Sequence, residues 1–122
     1  MSQEPEAGGY EDAVLSILAY EFSPADRPEA EAKIKRKLRA KKLGEYDPRR
    51  VDLMRRLKDE VRAEVGKGPA SKYYTRPHGG FADMRDFDRD RMAREMAAAF
   101  PDVPRQSVSQ FIEYAVYLYY LR

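Results

Sequence analysis

Apolar residues recur at helical spacing through most of the chain, and prolines and glycines divide the repeats into segments. The first segment, residues 10–22, predicts a helix whose apolar face extends to Phe22, with Glu21 as its only interruption. Pro24 ends this helix, because proline disfavours the helical conformation in the residue before it. Residues 1–9 are polar and contain one proline and two glycines, which predicts a disordered lead-in.

Two further helices are predicted in the middle of the chain. One begins at residue 26 or 27, with Pro28 suited to its first turn, and runs to about residue 43 before Gly44. The next begins with Asp47 as its cap and ends before Gly66. Its apolar residues form the clearest amphipathic stripe in the chain: Val51, Met54, Leu57, Val61 and Val65.

The C-terminal half begins with a long break. Residues 66–80 are rich in glycine and proline and predict a loop of a length that is uncommon inside a compact domain and often functional. Asp86 or Asp88 then caps a fourth helix with an inner face of Met92, Met96, Ala99 and Phe100. The pattern predicts a mainly α fold of about five helices in one domain, residues 10–122, with at most a short strand near residues 82–87.

The C-terminal helix, residues 107–122, is apolar on nearly every side. Ser107 can cap its start, and Gln110 follows at the spacing of a capping box. A helix with this pattern must be buried in the core or covered by a second chain or another partner. Tyrosine is common at interfaces, where its hydroxyl stays wet. The residues assigned to such an interface are Phe111, Tyr114, Tyr117, Leu118, Tyr120 and Leu121.

The net charge of +2 hides a strong segregation along the chain. Residues 1–32 hold one arginine against eight acids, whereas residues 33–62 hold thirteen lysines and arginines against five acids. This segregation indicates either a polyanionic partner or an internal docking of the acidic segment on the basic one. The sequence leaves both interpretations open.

The second predicted helix carries the densest positive charge. Ile34 and Leu38 face inward, so the cations of residues 33–42 cover the other sides of the helix. They are suited to contact nucleic-acid phosphates, and a solvated face paired with the acidic segment is the alternative. The cations assigned to phosphate contact are Lys33, Lys35, Arg36, Arg39, Lys41 and Lys42.

The predicted loop mixes cations with aromatic rings. This combination suits stacking on bases together with phosphate contact. The alternative is a loop that packs its two tyrosines on the core of the protein and leaves its cations in water. The loop residues assigned to nucleic acid are Lys72, Tyr73, Tyr74 and Arg76.

The chain shows no arrangement of residues typical of catalysis or metal binding. It lacks cysteine, and His78 is its only histidine. Residues 66–68 lack the spacing of a phosphate-binding P-loop. Residues 83–90 carry alternating acids without the glycine and glutamate of a calcium loop, which favours helix capping and pairing with arginine. We therefore predict no catalytic residue, no metal and no cofactor; a small enzyme would need a pocket where His78 meets two carboxylates.

The C-terminal helix begins with serines at positions 107 and 109, then Gln110, Phe111 and Ile112, with Ala115 four positions after the phenylalanine. In this hexapeptide and in the inner face of the preceding helix, residues 84–122 resemble the ribbon-helix-helix family of DNA-binding proteins. The resemblance implies an obligate dimer whose paired strands enter the major groove. It places the strand at about residues 82–87 and makes Arg85 the best base-contact residue.

No stretch approaches the roughly 18 apolar residues that a membrane span needs. The N-terminus is acidic and lacks a basic region followed by an apolar run, so we expect a cytoplasmic protein. The predicted function is a non-enzymatic, nucleic-acid-associated or regulatory helical module. The alternative is an accessory or adaptor subunit that docks through its tyrosine-rich helix on a protein partner or on a second copy.

Overall fold

A computed structural model describes residues 9–122, which form five α-helices and no β-sheet. The helices are α1 (Gly9–Leu18), α2 (Arg27–Ala40), α3 (Pro48–Gly66), α4 (Arg89–Ala99) and α5 (Arg105–Val116). A π-helical turn, Tyr117–Leu121, continues α5, and short 3-10 turns lie at Pro24–Asp26, Gly68–Ala70 and Met84–Asp86. The predicted mainly α fold is confirmed. The proposed disordered lead-in lies outside the described residues except for Gly9, which is already helical.

The helices α1, α3 and α5 form the centre of the fold. α1 contacts α2, α3 and α5, while α3 also contacts α5 and the π-helical turn. α2 lies outside α1, and α4 packs along α5. Burying each large apolar side chain in the core of the protein contributes about 1.5–3 kcal/mol. The largest fully buried side chains include Leu18, Ile34, Leu38, Met54, Leu57, Met92 and Ile112.

α3 matches its prediction closely. The side chain of Asp47 accepts a hydrogen bond from the backbone N–H of Arg49 at 2.9 Å, as expected of a cap. All five residues of the predicted apolar stripe are buried. The same face also buries Arg55 and Lys58, whose charges require partners in the interior.

α1 ends four residues earlier than predicted, at Leu18. Two tight turns follow, in which Tyr20 N–H donates to the Ile17 carbonyl and Glu21 N–H to the Leu18 carbonyl. These turns direct Glu21 into the interior, where it meets Arg55 and Lys58. Phe22 lies half-exposed instead. The predicted face was therefore wrong at Phe22, whereas Glu21 faces inward, on the side where the pattern placed it.

α2 ends at Ala40, also earlier than predicted. The N–H of Leu43 donates to the carbonyl of Leu38, and the N–H of Lys42 donates to the carbonyl of Arg39. This pair of bonds defines a Schellman motif, in which a residue in the left-handed conformation, usually glycine, closes the helix. Lys42 holds that position with φ of 53°, and Gly44 lies two residues beyond it.

Of the two caps predicted for α4, Asp88 is the one that the structure shows. Its side chain accepts a hydrogen bond from the backbone N–H of Arg91 at 3.1 Å. Three of its four predicted inner residues are buried, but Ala99 is exposed because the helix ends there and the chain turns away. α5 begins at Arg105, so the predicted cap Ser107 is instead buried in the first turn. The start is earlier because Val103 is buried in the preceding turn and fixes the chain before Pro104.

The short strand near residues 82–87 is not formed. Residues 84–86 make a 3-10 turn, and one isolated antiparallel bridge between Tyr74 and Phe87 is the only β-pairing within residues 9–122. Residues 84–122, on which the ribbon-helix-helix resemblance was based, contain α4 and α5, and the segment where it implies a strand contains the 3-10 turn. None of the helices in the described part of the chain has the length and apolar character needed to cross a bilayer.

Candidate nucleic-acid interface

α2 separates an apolar inner side from a cationic outer side. Ala30, Ile34 and Leu38 are buried against the rest of the fold. At about 100° per residue, the outward cations occupy the remaining circumference of the helix and its C-terminal turn. Exposed cations of this group, which we name the α2 basic face, are Lys33, Lys35, Arg36, Arg39, Lys41 and Lys42.

α3 binds two of the four described acids that precede α2, and one acid of α2 itself. Glu11 pairs with Arg50. Glu21 receives two hydrogen bonds from Arg55 and lies 3.7 Å from the ammonium of Lys58. Arg55 also donates to Glu31 at 2.9 Å. The hydrogen bonds from Arg55 to Glu21 and Glu31 outweigh the burial of its guanidinium and raise its pKa.

Few of the α2 cations have an acidic partner. Lys33 pairs with Glu29 at 3.0 Å on the solvent side, and the ammonium of Lys35 lies over the ring of Tyr46 at 4.9 Å from its centroid. Within residues 9–122, no ion pair is made by the other members of the face: Arg36, Arg39, Lys41 and Lys42. Internal docking, one of the two interpretations of the charge segregation, therefore holds for Glu11, Glu21 and Glu31, which pair with α3. Most cations of the α2 basic face are not neutralised by an ion pair within the described residues. The acids Glu4 and Glu6 lie outside the described residues.

A shallow groove follows the α2 basic face. Its walls come from α2 and from the connection to α3, and its lining residues are Lys35, Leu38, Arg39, Gly44, Glu45 and Tyr46. Tyr46 donates a hydrogen bond to Glu31, which holds the ring in place. Burial and this bond raise the pKa of Tyr46, so its hydroxyl stays protonated and adds no negative charge to the groove. Two cations, Lys35 and Arg39, and one acid, Glu45, line the groove.

The loop residues assigned to nucleic acid are placed differently. Tyr73 is buried and donates to Glu95 at 2.8 Å, and burial followed by this bond raises its pKa to about 12. Tyr74 is partly buried, with its ring edge-on to Phe87 at 5.8 Å. The loop thus packs its tyrosines on the body of the protein, the second of the two interpretations, and offers no stacking platform at Tyr73.

The cations near this loop are only partly available. Lys72 lies 3.7 Å from Glu95, and Arg76 is exposed and makes no ion pair within the described residues. Arg85, the base-contact residue implied by the resemblance, donates two hydrogen bonds from its guanidinium to the carboxylate of Asp83. That pairing occupies the guanidinium that base contact would require.

His78 belongs to a cluster around one buried carboxylate. Its Nδ1 lies 2.9 Å from Asp86 Oδ1, and the hydroxyl of Tyr120 donates to Asp86 Oδ2 at 2.7 Å. The backbone N–H of Asp83 donates to the same oxygen at 3.1 Å. The bond from Tyr120 leads the effects that lower the pKa of Asp86. The cluster joins the 3-10 turn to the C-terminal segment, and no group of three or more acids or histidines within residues 9–122 is placed to hold a metal.

The C-terminal helix is buried mostly in its own protein. Phe111 and its inner neighbours on α5 are core residues, whereas Tyr117 is half-exposed. The π-helical turn shifts the register by one residue and lets two consecutive tyrosines reach partners: Tyr119 donates to the Ala19 carbonyl and Tyr120 to Asp86. The remaining residues assigned to an interface are partly buried: Tyr114, Leu118, Tyr120 and Leu121.

One surface escaped the sequence analysis. Tyr20 and Phe22, placed by the pattern on a helix, lie exposed after α1 beside the C-terminal tyrosines. Arg55 and Lys58, beside the apolar stripe of α3, indicate that an acid must turn inward, but they do not indicate where Tyr20 and Phe22 lie. Comparison of the chain with protein-family models, with curated proteins and with solved structures found no match in any of the three.

Proposed function

We propose that this protein is a non-enzymatic nucleic-acid-binding module that contacts phosphates through the α2 basic face. The supporting observation is the distribution of the acids. Of the four described acids before α2, Glu11 and Glu21 pair with cations of α3, and Asp12 and Asp26 make no ion pair within the described residues, so none of the four pairs with an exposed cation of α2. A cluster of exposed cations attracts a polyanion such as nucleic acid, and the condensed counterions of the nucleic acid are released on binding.

The backbone at Lys42 supports the same proposal. A lysine in the left-handed region costs roughly 1–2 kcal/mol relative to the right-handed conformation, and glycine would avoid this cost. The strained position lies at the end of the basic face and presents an exposed ammonium. Local strain of this kind is concentrated at functional sites.

The experiment compares two triple variants with equal changes in net charge. The first removes Lys35, Arg36 and Arg39 from the α2 basic face by substitution with glutamine. The matched control replaces Arg56, Arg94 and Arg105, which are exposed elsewhere and make no ion pair within the described residues. Binding to labelled DNA at low salt is measured by fluorescence anisotropy.

The α2 variant is expected to lose most of its affinity and to reduce the slope of log affinity against log salt by about 2–3 for duplex DNA. The control is expected to keep the wild-type slope. Equal losses in both variants would mean that binding follows net charge alone, and the assignment to α2 would then be wrong.

The predicted alternative, docking through the C-terminal helix, remains a hypothesis. Since Phe111 and its neighbours fill the protein's own core, a partner would have to use the exposed part of the helix around Tyr117. A Tyr117→Glu variant should then remain folded and lose its partner or its second copy, as measured by mass in solution.

A further inference from the structure

Five aromatic side chains form a surface beside α2, which we name the aromatic strip: Tyr20, Phe22, Tyr114, Tyr117 and Tyr119. The Tyr20 and Tyr114 rings meet edge-on at 6.3 Å between centroids, and the Tyr114 and Tyr117 rings are stacked at the same spacing with 29° between their planes. Phe22 meets Tyr119 edge-on. Three of the rings are half-exposed: Tyr20 and Phe22 at 47% and Tyr117 at 49%.

The aromatic strip has a fixed shape. The hydroxyls of Tyr20 and Tyr114 are hydrogen-bonded to each other across 94 positions of sequence. Tyr119 donates to the Ala19 carbonyl at 2.6 Å, which fixes the end of α1 against the π-helical turn. A ligand that stacks on Tyr20 therefore loses little side-chain entropy in ordering that ring.

Cations border the aromatic strip on two sides. Tyr20 and Lys33 line one groove. Lys37 of α2 donates a hydrogen bond to Ser16, which lines a second groove together with Tyr114. On the other side, the guanidinium of Arg62 lies over the ring of Phe22 at 4.7 Å. The strip thus continues directly from one edge of α2.

This combination identifies the occupant by its chemistry. An apolar protein surface laid on the strip would have to desolvate the bordering ammonium and guanidinium groups, which is costly without partners. A nucleic-acid strand offers phosphates to these cations and π-faces to the rings. Only an unpaired strand does so, because in a duplex the base faces are stacked on one another.

We propose that the ligand of this surface is single-stranded nucleic acid, with bases stacked on Tyr20 and Tyr117 and phosphates lying against Lys33 and Lys37. The inference rests on the proposed function and specifies its substrate class. Acids also line the two grooves, namely Asp12, Glu21, Asp26 and Glu29, of which Glu21 is paired with Arg55. Glu29 competes for Lys33, so removing its charge strengthens binding.

The test measures anisotropy with a labelled oligothymidylate and with a labelled duplex of equal length, at low salt. The variants are Tyr117→Leu, Tyr20→Leu as a second and independent change, and Tyr117→Phe as the matched control that keeps the ring. Circular-dichroism melting of each variant identifies any that fails to fold. Glu29→Gln is measured on the same two probes.

Wild type is expected to bind the single strand more tightly than the duplex. Each leucine variant should weaken single-strand binding about tenfold and leave duplex binding unchanged, because stacking on one base is lost. Tyr117→Phe should match wild type, and Glu29→Gln should bind more tightly. If a folded leucine variant binds the single strand as wild type does, the inference is overturned.

Two other outcomes separate this inference from the proposed function. Duplex binding that exceeds single-strand binding, with no effect of either leucine variant, overturns the inference and leaves phosphate contact by α2 standing. Absence of binding to both probes overturns the proposed function and the inference together. A solution mass that falls from dimer to monomer in Tyr117→Leu, with single-strand binding intact, assigns the strip to contact between copies and overturns the inference.

Discussion

Glu21 and Arg55 form a buried, two-pronged ion pair, with Arg55 Nε 2.7 Å from Glu21 Oε1 and Nη2 3.0 Å from Oε2. Both side chains are almost completely buried. The pair joins the end of α1 to the middle of α3 and sets which residues after Leu18 face inward.

The first prediction concerns this pair. Glu21→Gln keeps the side-chain volume but leaves the buried Arg55 and Lys58 without their common carboxylate. We expect a loss of about 3 kcal/mol in the free energy of unfolding, the size found when one partner of a buried pair is removed. Urea denaturation monitored by circular dichroism measures it.

The matched control is Glu29→Gln, which removes an acid from the exposed pair with Lys33. We expect a change below about 1 kcal/mol, since exposed pairs contribute little. Similar effects of the two variants would contradict the structural role assigned to Glu21.

The second prediction concerns Lys42, the residue that closes α2 with positive φ. Lys42→Gly should raise the free energy of unfolding by about 1 kcal/mol, because glycine adopts this conformation without the steric cost. The same change should lower affinity for nucleic acid and reduce the salt slope by about 1. Thermal melting and anisotropy titration measure the two effects.

Lys42→Gln separates charge from backbone strain at this position. It should show the same loss of binding with no gain in stability. A stabilised glycine variant with full affinity would exclude Lys42 from the interface.

The third prediction concerns pH and the cluster around Asp86. Hydrogen bonds from Tyr120 and from the backbone of Asp83, together with His78, hold the pKa of Asp86 below its ordinary value of 3.8. A lowered pKa stabilises the fold fully above the unfolded-state value, and this stabilisation is lost as the pH falls through the folded-state value. Wild type should therefore be more stable than Asp86→Asn at neutral pH, with the difference shrinking below about pH 4.

Chemical denaturation across an acid pH series measures this difference. Tyr120→Phe removes the first of the three partners, so it should move the pKa of Asp86 back towards the ordinary value, as carboxyl NMR titration would detect. A difference between wild type and Asp86→Asn that grows as the pH falls would contradict the prediction.

The fourth prediction concerns the attachment of α2. Three buried residues, Ala30, Ile34 and Leu38, form its inner face. Ile34→Ala should cost about 2–5 kcal/mol, since it deletes fully buried methyl and methylene groups. Arg36→Ala, on the exposed side, should stay within about 0.5 kcal/mol. Denaturation midpoints of the two variants should therefore differ clearly.

The local pattern predicted the helices and the outward cations because both depend on short spacings. Ile34 and Leu38, four residues apart, were enough to orient α2, and the Val51 to Val65 stripe was enough to place α3. The end of α1 was predicted wrongly because its cause lies 34 positions away, at Arg55. The helical period placed Glu21 on the inward side, but no local signal shows that the helix ends at Leu18 and leaves Phe22 exposed.

The candidate site was predictable to the same extent. The α2 basic face could be inferred from one helix, and the structure adds that Glu11, Glu21 and Glu31 pair with α3. The aromatic strip could not be inferred, because Tyr20 and Tyr114 meet only after α1 and α5 pack. The early start of α5 likewise depends on the burial of Val103, a tertiary effect that left Ser107 inside the helix.

The most direct test of the central claim is a salt titration of nucleic-acid binding by the wild-type protein. If the α2 basic face contacts phosphates, affinity should fall about tenfold or more between low and physiological salt. Log affinity should fall linearly with log salt. No binding at the lowest salt, or an affinity that does not change with salt, would contradict the account.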